Sequence, residues 1–268
     1  MERIESASNA RIKWAAALHQ RKAREEEDAF VAEGVRLAEE AAASGWETLL
    51  CLVTEEALRG ERVRVLTEGL ESRGCPVYLV PERVYRKAAA TVTPQGVMLA
   101  VRRRRAALSS VLSGGTPLIA VLDGVRDPGN AGTILRTADA TGCTALVALE
   151  GTTDLFADKA VRSSMGSLFH LPVIHRVTRR EWLDFAAARG LRLFAAMLDR
   201  EARPHLEADF RVPAAVVFGS EGSGVSDEIA GASSPVHIPM AGGAESLNVA
   251  SSAAIILYEA FRQRRYEK

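Results

Sequence analysis

The sequence predicts an α/β protein with a small amino-terminal α/β domain over residues 1–105 and a larger domain over residues 106–268 that holds a mostly parallel sheet. Short apolar runs alternate with helical patterns along the chain, and several runs of the second part lack the polar alternation of a half-exposed strand. Between the two parts, RRRRAALSSVLSGGTP combines a charge block with Ser, Gly and Pro, which is typical of a connector.

Each part can be divided into elements in chain order. The amino-terminal segments are ARIKWAAALHQRKAREEE, AFVAEG, VRLAEEAAASG, TLLCLVT, CPVYLV and GVMLAVR. From Pro117 onward, the short apolar runs that suit strands are PLIAVLD, CTALVALE, LFHLPVI, LRLFAAML, AAVVFGS and VHIPM. Because strands buried on both faces lack alternation, we expect helices on both sides of this second sheet.

Composition limits the classes of protein to which the chain can belong. It has 268 residues, of which 47% are hydrophobic, so it can bury sizeable cores. Lys and Arg number 34, as do Asp and Glu, so the net charge gives no information about a nucleic-acid partner and the distribution of charge has to be examined instead. The basic residues are nevertheless clustered, from Arg11 to Arg24 and over Arg102–Arg105. Solvated surface and phosphate binding are both compatible with these clusters.

The cysteines and the amino terminus indicate the compartment. Cys51, Cys75 and Cys143 are far apart and odd in number, so they suit neither a metal site nor a disulfide set. The first residues lack the apolar core of a signal peptide, and no run approaches the roughly 20 apolar residues of a membrane span. We expect a cytoplasmic protein with no membrane association and no metal.

The first of three loops that carry polar residues is LDGVRDPGNAGTILRTADATG, Leu122–Gly142. A strand is predicted to end at Asp123 and a helix to start near Asn130, which is either the cap of that helix or a site residue. Arg136 lies in a small, apolar segment, so its charge needs a partner such as a carboxylate or a phosphate.

The second loop, VVFGSEGSGVSDEI, has three glycines after an apolar strand, which let the backbone approach a ligand closely. Their spacing matches neither a P-loop nor a dinucleotide fingerprint. Glu221 lies among these glycines; it would repel a phosphate and suits a cation or a hydroxyl group.

The third loop, IPMAGGAESLNVASSAAIILYEAF, places Ser246 and Asn248 at the start of a long apolar helix. Either residue could cap the helix, and one cap would be enough. Since ligands of open α/β folds bind in the loops after the strands, the pair is a cap, a site or both.

In this order, the three loops closely resemble the signature motifs of the SpoU/TrmH family of RNA 2′-O-ribose methyltransferases, within the SPOUT superfamily. The matching segments are NAGTILRTADATG, VFGSEGSGVSDEI and IPMAGGAESLNVASSAAIILYEAF. Weaker similarity to the family's ribosomal-protein-like substrate-binding domain covers IESASNARIKW, RKAREEEDAFVAEGVRLAEEA and QGVMLAV. One departure is Ala250, where the family often has Ser.

The resemblance implies S-adenosylmethionine as methyl donor, a homodimer and a carboxy-terminal domain with a deep trefoil knot. It assigns the polar active-site roles to Asn130, Arg136, Glu221, Ser246 and Asn248. It assigns the cofactor pocket to the backbone around Met197, Gly219, Ile238 and Leu247.

The resemblance implies methylation of RNA, with large-subunit (23S-type) ribosomal RNA favoured over transfer RNA because of the added amino-terminal domain. Arg136 would act either as the base for the 2′-hydroxyl with help from an RNA phosphate, or by stabilising the developing alkoxide. Two alternatives stay open: an inactive RNA-binding assembly factor of the same fold, and a nucleotide-binding α/β protein unrelated to RNA.

Overall fold

The computed structural model describes residues 1–112, 115–199 and 201–266, so residues 113 and 114 of the predicted connector lie outside the described part. The chain divides into two compact units. The first contains Met1–Arg104 together with a later segment, Phe156–Phe169, and the second contains Arg105–Leu155 and His170–Lys268. The boundary predicted from the sequence follows residue 105, and nothing in the sequence indicates that Phe156–Phe169 joins the first unit.

The first unit holds a mixed five-stranded sheet with the strand order β1-β4-β3-β5-β2. Its strands are β1 (Glu2–Arg3), β2 (Ala29–Glu33), β3 (Thr48–Val53), β4 (Val77–Leu79) and β5 (Val97–Arg102). Its helices are α1 (Ala10–Ala17), α2 (Arg21–Glu27), α3 (Val35–Ala43), α4 (Glu55–Leu58), α5 (Glu61–Ser72), α6 (Glu82–Ala88) and, from the later segment, α8 (Asp158–Ser164).

The later segment supplies aromatic residues to the core of the first unit. The ring of Phe156 lies 5.2 Å from that of Phe30, and the ring of Phe169 packs edge-on against Trp46 at 5.4 Å. Phe30 and Phe156 are almost completely buried. Since buried aromatic pairs contribute strongly to core stability, residues 156–169 are part of this unit's core and not a surface loop.

Several residues of the two basic clusters pack within the first unit. Arg24 is buried and donates to the carbonyl oxygens of Leu18 and His19, each at 2.8 Å. Arg103 is also buried, and its guanidinium lies over the ring of Phe156. For these two arginines, both interpretations of the clusters, as solvated surface or as a phosphate site, are wrong.

The second unit contains a seven-stranded sheet with the strand order β10-β12-β9-β11-β6-β7-β8 and parallel pairing throughout its described residues. Its strands are β6 (Leu118–Asp123), β7 (Ala145–Leu149), β8 (Val173–Val177), β9 (Arg192–Ala196), β10 (Arg203–Pro204), β11 (Ala214–Gly219) and β12 (Ser234–His237). Its helices are α7 (Pro128–Ala140), α9 (Arg179–Ala188), α10 (Asp227–Ala230) and α11 (Val249–Tyr266).

Both faces of this sheet are buried. Ile119 and Val121 of β6 share a core cluster with Trp182 of α9, whereas Ala120 and Leu122 point the other way and are equally inaccessible to solvent. Helices α7 and α11 pack against each other; α7 also contacts β6 and β7, and α11 contacts β11. The predicted α/β class with a mostly parallel sheet is therefore confirmed, whereas the trefoil knot stays a prediction.

One predicted strand was misplaced. The first two residues of LFHLPVI, Leu168 and Phe169, belong to a 3-10 turn over Ser167–Phe169, and β8 begins only at Val173. The buried Phe169 belongs to the first unit, so its apolar character reflects a different core from that of β8. In the part of the chain that the structure describes, none of the helices combines the length and the apolar character that crossing a membrane requires.

Candidate active site

The three loops singled out in the sequence follow β6, β11 and β12. Strands β6 and β11 are neighbours in parallel, with Asp123 opposite Gly219 in register. The carboxyl ends of parallel strands meet at one edge of a sheet, which is where open α/β folds bind ligands.

Asn130 is not the cap of its helix. Asp127 is the cap, because its side chain accepts a hydrogen bond of 2.9 Å from the backbone N–H of Asn130, and Pro128 starts the helix. The Asn130 side chain is therefore free to reach other loops. Its Nδ2 donates to Oε1 of Glu221 at 2.8 Å, and its Oδ1 accepts from Nδ2 of Asn248 at 3.1 Å.

Asn248 combines the two roles that the sequence left open. Its Oδ1 accepts from the backbone N–H groups of Ala250 at 2.9 Å and Ser251 at 3.3 Å, so it caps α11. Its amide nitrogen is bonded to Asn130 at the same time. We call Glu221, Asn130 and Asn248 the polar row; it joins one residue from each of the three loops.

Glu221 is held as a carboxylate. Partial burial acts to raise its pKa, but hydrogen bonds from the Asn130 side chain and from the backbone N–H groups of Glu221, Arg126 and Asp127 outweigh this, and the pKa is lowered from its ordinary value of 4.5. An ionised Glu221 accepts hydrogen bonds only, which fixes the orientation of the Asn130 amide.

A cavity of about 590 Å³ opens beside the polar row. The four residues assigned to the cofactor pocket all line it, as do Glu221, Ser246 and Asn248, whereas Asn130 and Arg136 do not. The lining also includes Ala196, Leu198, Phe218, Ser220, Ser223, Gly224, Val225, Val236, His237, Met240, Val249, Ser252 and Ile256. Its mixture of apolar side chains and loop backbone is typical of a site for a nucleoside-sized ligand.

Gly219 allows the second loop to fold back onto the strand that precedes it. The next residue, Ser220, exchanges backbone hydrogen bonds of 2.9 and 3.0 Å with Gly224. A Cβ added at Gly219 would overlap the backbone of Gly224 and Val225. The absence of a side chain at Gly219 is therefore required by the loop itself.

Two of the predicted site residues have no partner among the residues that the structure describes. Ser246 is exposed and lines the cavity, and Arg136 is exposed on α7, two turns beyond the start of the helix. Neither side chain forms a hydrogen bond or an ion pair with any residue in the described ranges. The carboxylate partner that the sequence allowed for Arg136 is thus not observed within the described chain.

A buried network that the sequence did not reveal supports the second loop. The side chain of Asp123 is fully buried and accepts from Nη2 of Arg179 at 2.7 Å and from the backbone N–H of Ser226 at 2.8 Å. Arg179 Nε also donates to the Ser226 hydroxyl at 2.9 Å. The sequence indicated Asp123 as the end of a strand. It gave no local indication that Arg179 supports the loop, because the partners of Arg179 are distant in sequence.

The residues that the structure describes include no group of three or more His, Cys, Asp or Glu side chains placed to hold a metal ion.

The fold and the cavity define an α/β protein with a nucleoside-sized site at the carboxyl edge of a parallel sheet. Comparison with known proteins gives a more specific assignment. Residues 117–258 match the SpoU rRNA Methylase family, and residues 9–99 match an MRM3-like substrate binding domain.

Relatives and solved structures agree with these matches. The chain is 34% identical to the 23S rRNA (guanosine(2553)-2′-O)-methyltransferase RlmP of Bacillus subtilis, over 96% of this chain and 98% of the relative. It is 38% identical to the tRNA (guanosine(18)-2′-O)-methyltransferase of Thermus thermophilus, over 61% and 83%. The AdoMet-bound rRNA methyltransferase from Sinorhizobium meliloti superposes with a TM-score of 0.88 at 30% identity, over 100% and 99%. The chain therefore belongs to the SpoU family of RNA 2′-O-methyltransferases.

Proposed function

We propose that this protein transfers a methyl group from S-adenosylmethionine to the 2′-hydroxyl of a ribose in large-subunit ribosomal RNA. The observation that carries the proposal is the 590 Å³ cavity with the polar row at its edge. Methyl transfer to a hydroxyl needs a donor pocket next to groups that orient the acceptor, and no nucleophile of the enzyme's own.

The cavity fits the donor. Its apolar lining residues Met197, Ile238 and Leu247 suit the faces of an adenine ring, and the backbone near Gly219 offers polar groups at close range. When bound, S-adenosylmethionine supplies an electrophilic methyl group on a sulfonium centre. The polar ends of the lining, at Ser246 and Asn248, then lie on the side of the cavity where the acceptor enters.

On the acceptor side, the chain's own residues align the ribose and balance its charge. Glu221 fixes Asn130, and Asn130 fixes Asn248, so the three loops present one preorganised surface. Arg136 is charged and has no partner within the described part of the chain, and we assign it to stabilising the oxyanion that develops as the 2′-hydroxyl loses its proton. Alignment of the two reactants can contribute roughly 7–11 kcal/mol to lowering the barrier.

Ribosomal RNA is favoured over transfer RNA by the extent of the similarity. The ribosomal RNA relative matches nearly the whole chain, including its amino-terminal domain, whereas the transfer RNA relative covers 61% of it. We assign RNA docking to the amino-terminal unit, because residues 9–99 match a substrate binding domain. Cytoplasmic location is part of the proposal, and the three free, buried cysteines suit a reducing compartment.

We also propose a homodimer. Ile255 and Tyr258 lie three residues apart on α11, where they share a face, and their exposed fractions are 38% and 52%. An apolar helix face of this kind suits burial against a second copy. Sedimentation of the protein and of Tyr258→Glu tests this: the variant should be monomeric, and a dimeric variant would contradict this interface.

Transfer of a labelled methyl group from S-adenosylmethionine to total RNA tests the proposed function. Wild-type protein should label large-subunit ribosomal RNA, and the label should map to a linkage that resists alkali, as 2′-O-methylation requires. Label in transfer RNA would show that transfer RNA is the substrate. RNA binding without labelling would support the alternative of an inactive assembly factor. The variant Asn130→Ala serves as the matched inactive protein.

A further inference from the structure

A second, smaller cavity shares lining residues of the glycine loop with the cofactor cavity. Its volume is about 130 Å³, and its lining includes Arg126, Arg179 and the backbone of Gly124 and Gly151. The turn Ser220–Gly224 contributes to both cavities, which makes them immediate neighbours.

Two arginines with free N–H groups line this small cavity. The side chain of Arg126 is exposed and makes no hydrogen bond or ion pair with the described residues. Arg179 is oriented through Nε and Nη2 by Asp123 and Ser226, which leaves its Nη1 without a partner in the described structure. Asp123 is the one acid among the described lining residues, so the lining carries one net positive charge.

The position of Arg126 ties this cavity to the polar row. Its backbone N–H donates to Oε2 of Glu221 at 3.3 Å, and the other oxygen of Glu221 holds Asn130. The backbone of Arg126 is therefore in direct contact with the carboxylate that orients Asn130. The hydroxyl groups of Ser220 and Ser223 lie on the same wall and are hydrogen-bonded to each other at 2.7 Å, so one of the two O–H groups is left to donate to a ligand.

We propose that this cavity binds a phosphate group of the RNA strand, adjacent to the nucleotide that is methylated. The inference rests on the proposed function and names a contact of that same substrate. Arginine side chains and serine hydroxyls are the usual donors to RNA phosphates, and glycines leave room for the strand to approach. Such a contact carries no sequence information and sets the register of the strand, placing one particular 2′-hydroxyl at the polar row.

The variant Arg126→Gln tests the contact, because an exposed side chain that pairs with none of the described residues can be changed without harming the fold. We expect its KM for total RNA to rise about tenfold, as loss of one charge-assisted hydrogen bond predicts. The slope of log affinity against log salt should fall by about one, while the affinity for S-adenosylmethionine stays unchanged. Arg180→Gln is the matched control, since Arg180 is 81% exposed and pairs with Asp184 on its own helix.

An uncharged linkage in the RNA backbone tests whether Arg126 contacts a phosphate or a base. Once the methylated nucleotide is mapped, short RNAs with a single methylphosphonate at successive linkages are assayed with both proteins. At one linkage, the neutral group should raise the KM of the wild type but not raise that of Arg126→Gln any further. Additive effects at every linkage would overturn the phosphate assignment.

The outcomes also separate this inference from the proposed function. If the wild type methylates RNA and Arg126→Gln matches Arg180→Gln in KM and in salt slope, the phosphate site is wrong and the proposed function stands. If the wild type does not methylate RNA, both are wrong.

Discussion

The Asn130 side chain donates a hydrogen bond of 2.8 Å to the carboxylate of Glu221, a residue 91 positions later in the chain. The bond joins the start of α7 to the glycine loop after β11. Because Asn130 accepts from Asn248 as well, a single amide sets the spacing of three loops that come from distant parts of the sequence.

The first prediction concerns this amide. Asn130→Asp would place a second carboxylate against Glu221, and we expect the single-turnover rate of methyl transfer to fall by about 10²–10³. Cofactor affinity, measured by calorimetry, should change little, since Asn130 does not line the cofactor cavity. Thr133→Ala, one turn further along α7, is the control. A normal rate in the Asn130→Asp variant would show that the polar row does not contribute to methyl transfer.

The second prediction separates chemistry from stability at Arg136. Because its side chain is exposed and unpaired within the described structure, Arg136→Ala should change the free energy of unfolding by no more than about 0.5 kcal/mol. Turnover should fall by about 10²–10⁴, the range for a positioned electrostatic group. Arg136→Lys should recover part of the rate if the role is mainly coulombic and almost none if the planar fork is needed. Melting curves and methylation rates from the same preparations distinguish a catalytic role of Arg136 from a structural one. A fully active Arg136→Ala variant would exclude the catalytic role.

The third prediction uses two glycines of one loop. In Gly219→Ala the new methyl group would overlap the backbone of Gly224 and Val225, so the loop must open and its cavity wall must move. We expect S-adenosylmethionine to bind more than tenfold more weakly, by calorimetry. Gly222→Ala is the control, because no atom lies within 4 Å of its added Cβ. Equal affinities in the two variants would show that the cofactor pocket does not depend on the loop folding back onto β11.

The fourth prediction concerns pH and the segment Phe156–Phe169. His19 Nδ1 lies 2.9 Å from Oδ1 of Asp158, and its Nε2 lies 2.6 Å from the carbonyl oxygen of Ala88. Burial acts to lower the pKa of His19, but the hydrogen bonds with Asp158 and Ala88 outweigh it, and the pKa is raised above 6.5.

A raised pKa means that the contribution of His19 to stability is fully present below 6.5 and is lost as the pH rises through the folded value. Hydrogen-exchange protection of residues 156–169, corrected for intrinsic exchange, should therefore be constant below pH 6.5 and fall as the pH rises above it. His19→Gln should abolish this dependence. Protection that stays constant with pH in the wild type would contradict the role of the pair.

Sequence patterns predicted most strands and all three loops, because apolar runs and glycine-rich loops are local signals. They could not identify Asp127 as the cap of α7, since Asn130 suits that position equally well by residue type. The burial of Arg24 and Arg103 and the pairing of Asp123 with Arg179 were missed for another reason. Each depends on partners that only the tertiary fold brings together. The pattern of charges along the sequence does not predict such partners.

The membership of Phe156–Phe169 in the amino-terminal unit has a consequence for the order of synthesis. When the ribosome has made residue 104, the first sheet is complete in sequence, but Phe156 and Phe169, which pack against Phe30 and Trp46, have not yet been translated. The nascent first unit must therefore keep an apolar surface open until β6, α7 and β7 have also been translated. Its final packing must wait for translation of the first two of the seven strands of the second unit's sheet, and during that interval the exposed apolar surface makes the nascent chain prone to aggregation unless a chaperone binds it.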